Sequence, residues 1–161
     1  MDMTDLTVGA KAPVLKLSLS RDDVIAEGTV PPGGACTVFF FPRIGSATCN
    51  DEVLAFARAH AAFRETGFGV IGISPDPAAR LARFREKHGV PFPLAADPAL
   101  EAARAWGVWV EKRMYGRAFM GVERATFLLD TKGRIAAAWR KVRLDGHVEA
   151  ALAAAAALAA R

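Results

Sequence analysis

Residues 37–49 have the sequence TVFFFPRIGSATC, and this stretch decides the fold. Its first five residues are apolar or β-branched, and a proline follows them directly. A continuous run of β-forming side chains is typical of a central strand that is buried on both faces of a sheet. We therefore predict a strand over residues 37–41 that ends at Pro42 and leads into a loop.

A helix is predicted to begin directly after this loop. Thr48 and Asp51 fit the Ser/Thr-x-x-Asp/Glu capping signal, so Thr48 is the expected N-cap, and Gly67 is the expected stop. Cys49 then lies in the first helical turn. Unpaired backbone N–H groups and the positive end of the helix dipole favour an anion there. This position therefore fits a thiolate nucleophile, although a free cysteine there could equally be a small buried hydrophobic residue.

Strands and helices alternate on both sides of this unit. Apolar and polar residues alternate over residues 14–19, which predicts a strand at the N-terminal side, and a Pro-Pro-Gly-Gly sequence breaks the chain within residues 28–34. The further predicted strands are residues 68–73, 92–94, 125–129 and 134–139; the further predicted helices start at Asp76-Pro77, at Asp97-Pro98 and at His147. This order predicts an α/β fold in which helices flank a central mixed β-sheet, with an N-terminal β extension.

Length and composition predict one domain over residues 1–161. About half of the residues are hydrophobic (52%) and 24% are charged, which is the balance of a globular protein. The net charge of +4 comes from basic residues scattered among acids, so no nucleic-acid partner is expected. The acidic start, residues 1–5, and the lack of a long apolar stretch predict a cytoplasmic protein with no membrane partner.

The cysteines and histidines do not form a metal-binding pattern. The chain has two cysteines, Cys36 and Cys49, without the Cys-x-x-Cys spacing of zinc sites or of thioredoxin-type dithiols. His60, His88 and His147 are far apart in sequence and share no ligand spacing with either cysteine. Neither a metal nor a cofactor is therefore predicted.

Two separate motifs resemble those of the peroxiredoxin family. Phe41-Pro42-x-x-x-Ser46-x-x-Cys49 matches the peroxiredoxin active-site motif Pro-x-x-x-Thr/Ser-x-x-Cys, and residues 115–127 resemble the segment that carries the catalytic arginine in that family. The resemblance extends from Val8-Gly9 to the Asp130-x-x-Gly133 turn, and it is strongest to the peroxiredoxin Q, or bacterioferritin comigratory protein, subgroup. It implies a thioredoxin-like fold and a thiol peroxidase that reduces hydrogen peroxide and organic hydroperoxides.

The resemblance also assigns roles to five residues. Cys49 matches the peroxidatic cysteine, whose thiolate attacks the peroxide and becomes a sulfenic acid. Pro42 would shield the thiolate from solvent, and Ser46 would offer its hydroxyl group to the peroxide and the sulfur. Arg124 would hold the thiolate and the developing negative oxygen, and Glu52 would orient Arg124.

The chain lacks the second thiol that many members of the subgroup use to resolve the sulfenic acid. The places where that thiol often stands hold Leu54 and residues such as Leu81 and Arg83. Cys36 is predicted to lie at the far end of the strand, roughly 20 Å away, whereas a disulfide needs a Cα separation of about 4.4 to 6.8 Å. We therefore predict a one-cysteine mechanism that uses an external thiol reductant, such as thioredoxin or glutaredoxin with glutathione, in a monomer or weak dimer.

Two other functions fit the same fold. One is a thiol–disulfide oxidoreductase, although exchange of that kind normally relies on a second cysteine close to the first. The other is a thioredoxin-like binding module without catalytic activity, in which Cys49 is incidental, because a fold alone does not define a function.

Overall fold

A computed structural model describes residues 6–161. Residues 1–5, the acidic start on which the expected cytoplasmic location partly depends, lie outside the described part. The strands are β1 (Leu15–Arg21), β2 (Val24–Val30), β3 (Cys36–Phe40), β4 (Gly69–Ser74), β5 (Leu94–Ala96), β6 (Trp109–Met114), β7 (Arg117–Val122), β8 (Ala125–Leu129) and β9 (Ile135–Trp139). The helices are α1 (Ala47–Glu65), α2 (Ala78–His88), α3 (Glu101–Ala105) and α4 (His147–Ala159). Within residues 6–161, none of the helices combines the length and the apolar character that crossing a bilayer requires.

Seven of these strands form one mixed sheet in the order β2-β1-β5-β4-β3-β8-β9. Strands β3, β4 and β5 are parallel to one another, whereas β8 runs antiparallel to β3. Every residue of β3 is buried, which confirms the prediction of a central strand. The β1–β2 hairpin is joined to the edge of β5 and forms the predicted N-terminal extension.

The core has two halves, one on each face of the sheet. Val38 and Phe40 of β3 face the half that contains Trp106 and residues of α3. Phe39 and Phe41 face the other half, which contains buried residues of α1, α2 and α4. Because successive side chains of a strand point to opposite faces, one buried strand supplies both halves.

Three helix starts differ from the predictions. Helix α1 is capped by Ser46 and not by Thr48, so it begins earlier than expected. Helix α2 follows Pro77 and not Asp76, whose carboxylate is bonded elsewhere. Helix α3 begins at Glu101. The Asp97 carboxylate nevertheless accepts hydrogen bonds from backbone N–H groups in the first turn of α3.

Three strands are absent from the sequence predictions. Strand β2 lies at the edge of the sheet and is exposed over most of its length, so it shows no apolar alternation. Strands β6 and β7 pair only with each other and form a separate ribbon, whose middle and tip are largely exposed. A hydrophobic pattern reports a strand only where one of its faces is buried, which explains why these strands were missed.

Candidate active site

The loop between β3 and α1 places Cys49 at the start of a helix. Ser46 has extended backbone angles, and its hydroxyl oxygen accepts a hydrogen bond from the Cys49 N–H at 3.4 Å. The same hydroxyl group donates to the carbonyl oxygen of Arg43 at 3.2 Å. Cys49 therefore lies in the first turn of α1, as predicted, although the cap is Ser46.

The sheet topology brings Arg124 to this turn. Strand β8 runs antiparallel to β3, and its first residue, Ala125, pairs with Phe40, the last residue of β3. Arg124 directly precedes Ala125. It thus lies at the end of the sheet where β3 leads into the loop to α1. Its Nη2 atom donates a hydrogen bond to the Cys49 sulfur at 3.4 Å. Two residues that are 75 positions apart in the chain are therefore in direct contact.

Glu52 holds the other side of the guanidinium group. It lies one turn after Cys49 on α1, and its side chain is completely buried. Its Oε1 atom accepts a hydrogen bond from Arg124 Nη1 at 2.6 Å, whereas Oε2 has no hydrogen-bond partner among the described residues. Arg124 thus bridges a carboxylate and a sulfur that project from the same helix.

Burial and charge act against each other in this cluster. Burial raises the pKa of Glu52 to about 7, and the attraction and hydrogen bond of Arg124 only partly oppose that rise. Burial alone would lower the pKa of Arg124, but the charge of Glu52 and the contact with Cys49 outweigh it and raise that pKa. Arg124 therefore remains a full cation beside the sulfur, whereas Glu52 titrates close to neutral pH.

The titration of Glu52 predicts a loss of stability as the pH rises. The folded protein binds the Glu52 proton more tightly than the unfolded chain does, because the pKa is about 7 in the fold and 4.5 without it. The contribution of Glu52 to the free energy of unfolding should therefore fall between pH 4.5 and about 7, by at most about 3 kcal/mol. Urea unfolding of the wild type at several pH values measures this slope.

The matched variant for this experiment is Glu52→Gln, which keeps the shape of the side chain but cannot ionise. The burial of His60 and His147 lowers their pKa, so both give a slope of the opposite sign in either protein. The difference between wild type and Glu52→Gln isolates the contribution of Glu52. Parallel slopes in the two proteins would contradict the assignment.

Two residues of α2 and its preceding loop hold the active-site loop in place. Asp76 is buried, and one of its carboxylate oxygens accepts a hydrogen bond from the Ile44 N–H at 2.7 Å. Arg80 donates to the Ile44 carbonyl oxygen at 3.1 Å and packs against Gly45. On the α1 side, the Gly45 N–H donates to the Asn50 side chain at 2.8 Å.

This role of Asp76 is missed by sequence reasoning. The Asp76-Pro77 pair is a common helix start, so the sequence predicts a cap at this position. A signal for the actual contact is present only in the fold, which brings residues 32 positions apart into hydrogen-bond distance.

The remaining predicted residue of the motif, Pro42, also lies in this loop. It is half-buried and follows Phe41, which is fully buried in the core. Cys49, Ser46, Arg124 and Glu52 are joined by direct hydrogen bonds, and Pro42 lies in the loop that leads to Ser46 and α1. The fold thus gathers all of the predicted site residues at one end of β3.

Ser46 occupies the Thr/Ser position of the motif that the sequence resembles, and we predict that a threonine variant has equal or higher activity. Ser46→Thr keeps the hydroxyl group that caps α1, and its added methyl group restricts the side-chain rotamer. We therefore expect the steady-state rate of peroxide consumption to stay the same or to rise by a small factor. A clear loss of activity in Ser46→Thr would count against this reading of the serine.

Cys36 lies far from this site. It begins β3, whereas Cys49 follows the opposite end of that strand. Its side chain lies in the half of the core that contains Val38, and Cys49 lies in the other half. Both cysteines are free and buried, and burial raises the pKa of Cys36 to about 12. Cys36 is therefore a protonated core thiol that the sheet separates from Cys49.

Comparison with known proteins identifies the family. Residues 8–138 match the AhpC/TSA family, so the chain belongs to that family. Its curated relatives include peroxiredoxin Bcp of Bacillus subtilis, which is 35% identical over 91% of this chain and 93% of the relative. Peroxiredoxin Bcp of Xanthomonas campestris is also 35% identical, over 94% of this chain and 96% of the relative. These findings confirm the resemblance to the peroxiredoxin Q or Bcp subgroup.

Solved structures confirm the predicted fold. Peroxiredoxin Q of Xanthomonas campestris superposes with a TM-score of 0.83 at 37% identity, over 90% of this chain and 91% of that one. A peroxiredoxin Q mutant of Xylella fastidiosa superposes with a TM-score of 0.87 at 29% identity, over 96% of this chain and 98% of that one. Another structure of the Xanthomonas protein is described in terms of its alkyl peroxide reduction activity. The chain therefore has the thioredoxin-like fold of peroxiredoxins.

Proposed function

We propose that this peroxiredoxin reduces hydrogen peroxide and organic hydroperoxides with Cys49 as its peroxidatic cysteine. The observation that carries the proposal is the 3.4 Å contact between the Arg124 guanidinium group and the Cys49 sulfur in the first turn of α1. A fixed cation and a helix N-terminus together favour a sulfur anion. A cysteine that only fills the core would need neither the cation nor the helix N-terminus.

In the proposed reaction, the Cys49 thiolate attacks the terminal oxygen of the hydroperoxide. A sulfur–oxygen bond forms as the oxygen–oxygen bond breaks, and the leaving hydroxide or alkoxide takes a proton from solvent. Arg124 stabilises the charge that develops on this oxygen, as preorganised donors do in other enzymes. The sulfur has lost two electrons and is now a sulfenic acid.

The other site residues have supporting roles in this proposal. Glu52 orients Arg124 through the 2.6 Å hydrogen bond. Ser46 caps the helix and presents its hydroxyl group to the peroxide and the sulfur when that group turns away from the Arg43 carbonyl oxygen. Pro42 limits the access of water to the sulfur.

The sulfenic acid is proposed to be reduced by an external thiol, because Cys36 lies across the sheet from Cys49. Neither cysteine forms a disulfide in the structure. An enzyme that depends on a supply of free thiols suits the reducing cytoplasm, which is the location we propose.

A test of the one-cysteine mechanism is non-reducing mass spectrometry after one equivalent of peroxide. We expect the mass of the protein to increase by one oxygen atom at Cys49, with no Cys36–Cys49 disulfide. Quantitative formation of that disulfide would contradict the proposal. Reduction of insulin without any peroxide would instead favour the thiol–disulfide oxidoreductase.

A further inference from the structure

Lys112 lies on the β6–β7 ribbon, and its side chain extends toward the end of the ribbon that leads into Arg124. It pairs with Phe119 across the ribbon and is half-buried. Its Cδ, Cε and Nζ atoms lie over Gly121, which is two residues further along β7. The side chain therefore runs along β7 in the direction of Arg124, since Val122 and Glu123 follow Gly121.

Gly121 makes this path possible. A Cβ atom at position 121 would lie 3.2 Å from Cδ and 3.3 Å from Cε of Lys112, which is closer than an ordinary contact. Gly121 is not among the residues that have a positive φ, so the backbone conformation does not require glycine there. Glycine inside a strand often marks a site where another group approaches closely. At Gly121 that group is the lysine side chain.

The ammonium group of Lys112 is electrostatically coupled to Arg124 and to Cys49. Burial and the charge of Arg124 lower the pKa of Lys112, and the charges of Cys49 and Glu123 oppose that effect. Arg124 already has Glu52 as its partner, and Glu123 is bonded to Arg140. No ion pair joins Lys112 to an acid among residues 6–161. The Lys112 ammonium group is thus a positive charge near the site that no carboxylate of those residues pairs with.

Access to Cys49 is narrow. The residue is 1% exposed, and Asp76, Arg80 and Asn50 fix the loop in front of it. A protein reductant must bring its own cysteine to this buried sulfur, whereas a small thiol has less bulk to be admitted.

These observations define the chemistry of the second substrate. We propose that Lys112 is a specificity-determining residue, which favours a small thiol that carries a carboxylate as the reductant of oxidised Cys49. The inference rests on the proposed function, because it concerns the sulfenic acid that the peroxide step produces. The carboxylate pairs with the ammonium group while the thiol reaches the sulfur.

The proposed reduction balances in two steps. In the first, the thiolate of the reductant attacks the Cys49 sulfenic acid, so that a disulfide bond forms, the sulfur–oxygen bond breaks, and hydroxide leaves and takes a proton from solvent. In the second, another molecule of the reductant attacks the mixed disulfide and releases the oxidised reductant. Cys49 returns to a thiolate, and two thiols have supplied the two electrons that the peroxide received.

The test compares two probes of similar size, mercaptopropionate and mercaptoethanol, as reductants of peroxide-treated protein. We expect Lys112→Gln to lower the ratio of their rate constants by about fivefold to tenfold, because the charge of Lys112 attracts only the first probe. Lys112→Arg should restore most of the ratio. Added salt should lower the ratio in the wild type more than in Lys112→Gln.

The matched control is Arg113→Gln, because Arg113 is the next residue of β6, is exposed, and points to the opposite face of the ribbon. This variant should keep the wild-type ratio. Equal losses for both probes in Lys112→Gln would overturn the inference, as would much faster reduction by thioredoxin that Lys112→Gln leaves unchanged. If peroxide fails to oxidise Cys49 at all, the proposed function fails first, and the mass of the treated protein shows this separately.

Discussion

Replacing Cys49 by serine is expected to abolish peroxide consumption. An alcohol at this position stays protonated at neutral pH, so the Arg124 guanidinium group 3.4 Å from the sulfur position would have no nucleophile to hold. Serine has nearly the same size as cysteine, and the residue lies in a helical turn that Ser46 already caps. The fold should therefore survive while the activity is lost.

The measurement is the rate of peroxide consumption with an excess of a small thiol. The matched control is Cys36→Ala, since Cys36 is the other buried cysteine and lies on the opposite face of the sheet. We expect this control to consume peroxide at a rate close to that of the wild type. Appreciable consumption by Cys49→Ser, or complete loss in a folded Cys36→Ala protein, would contradict the proposed function.

Replacing Arg124 by lysine is expected to slow the oxidation of Cys49 by about 10²- to 10³-fold, the usual loss when one preorganised donor is removed from an active site. The guanidinium group contacts the sulfur with Nη2 and Glu52 with Nη1. A lysine ammonium group is a single point charge and does not reproduce this forked geometry. The substitution therefore preserves the positive charge but removes the hydrogen-bonded link between Cys49 and Glu52.

Rapid-mixing measurement of a single turnover with peroxide gives this rate without any contribution from the reductant. Arg113→Lys is the control, because it makes the same chemical change at an exposed position of the ribbon. Urea unfolding must accompany the kinetics, since Glu52 is completely buried and loses a partner. An oxidation rate within a few-fold of the wild type in Arg124→Lys would contradict the role of the guanidinium group.

The central unit of the fold can be predicted from sequence because its signals are local. The apolar run that forms β3 and the helix that follows it are each encoded by adjacent residues. The position of Cys49 in the first turn follows from these two elements. The boundary error at Thr48 arises because Ser46 and Thr48 are both good caps, and the loop geometry decides between them.

The contacts of the site are harder to predict because they join distant parts of the chain. The link between Arg124 and Cys49 is suggested only by a family resemblance, and the pairing of β8 with β3 explains it. The anchoring of Ile44 by Asp76 and the path of Lys112 over Gly121 depend on the packed fold. No local pattern in the sequence encodes these long-range contacts.

The central claim is that the Cys49 sulfur takes an oxygen atom from the peroxide, and trapping the resulting sulfenic acid tests that claim most directly. The protein would be titrated with peroxide in the presence of dimedone, which reacts with sulfenic acids, and the peptides would be identified by mass spectrometry. We predict that the adduct forms on Cys49 in proportion to the peroxide added, and that Cys36, a buried thiol whose pKa is raised to about 12, stays unmodified. Consumption of peroxide without an adduct on Cys49, or with the adduct on Cys36, would contradict the account.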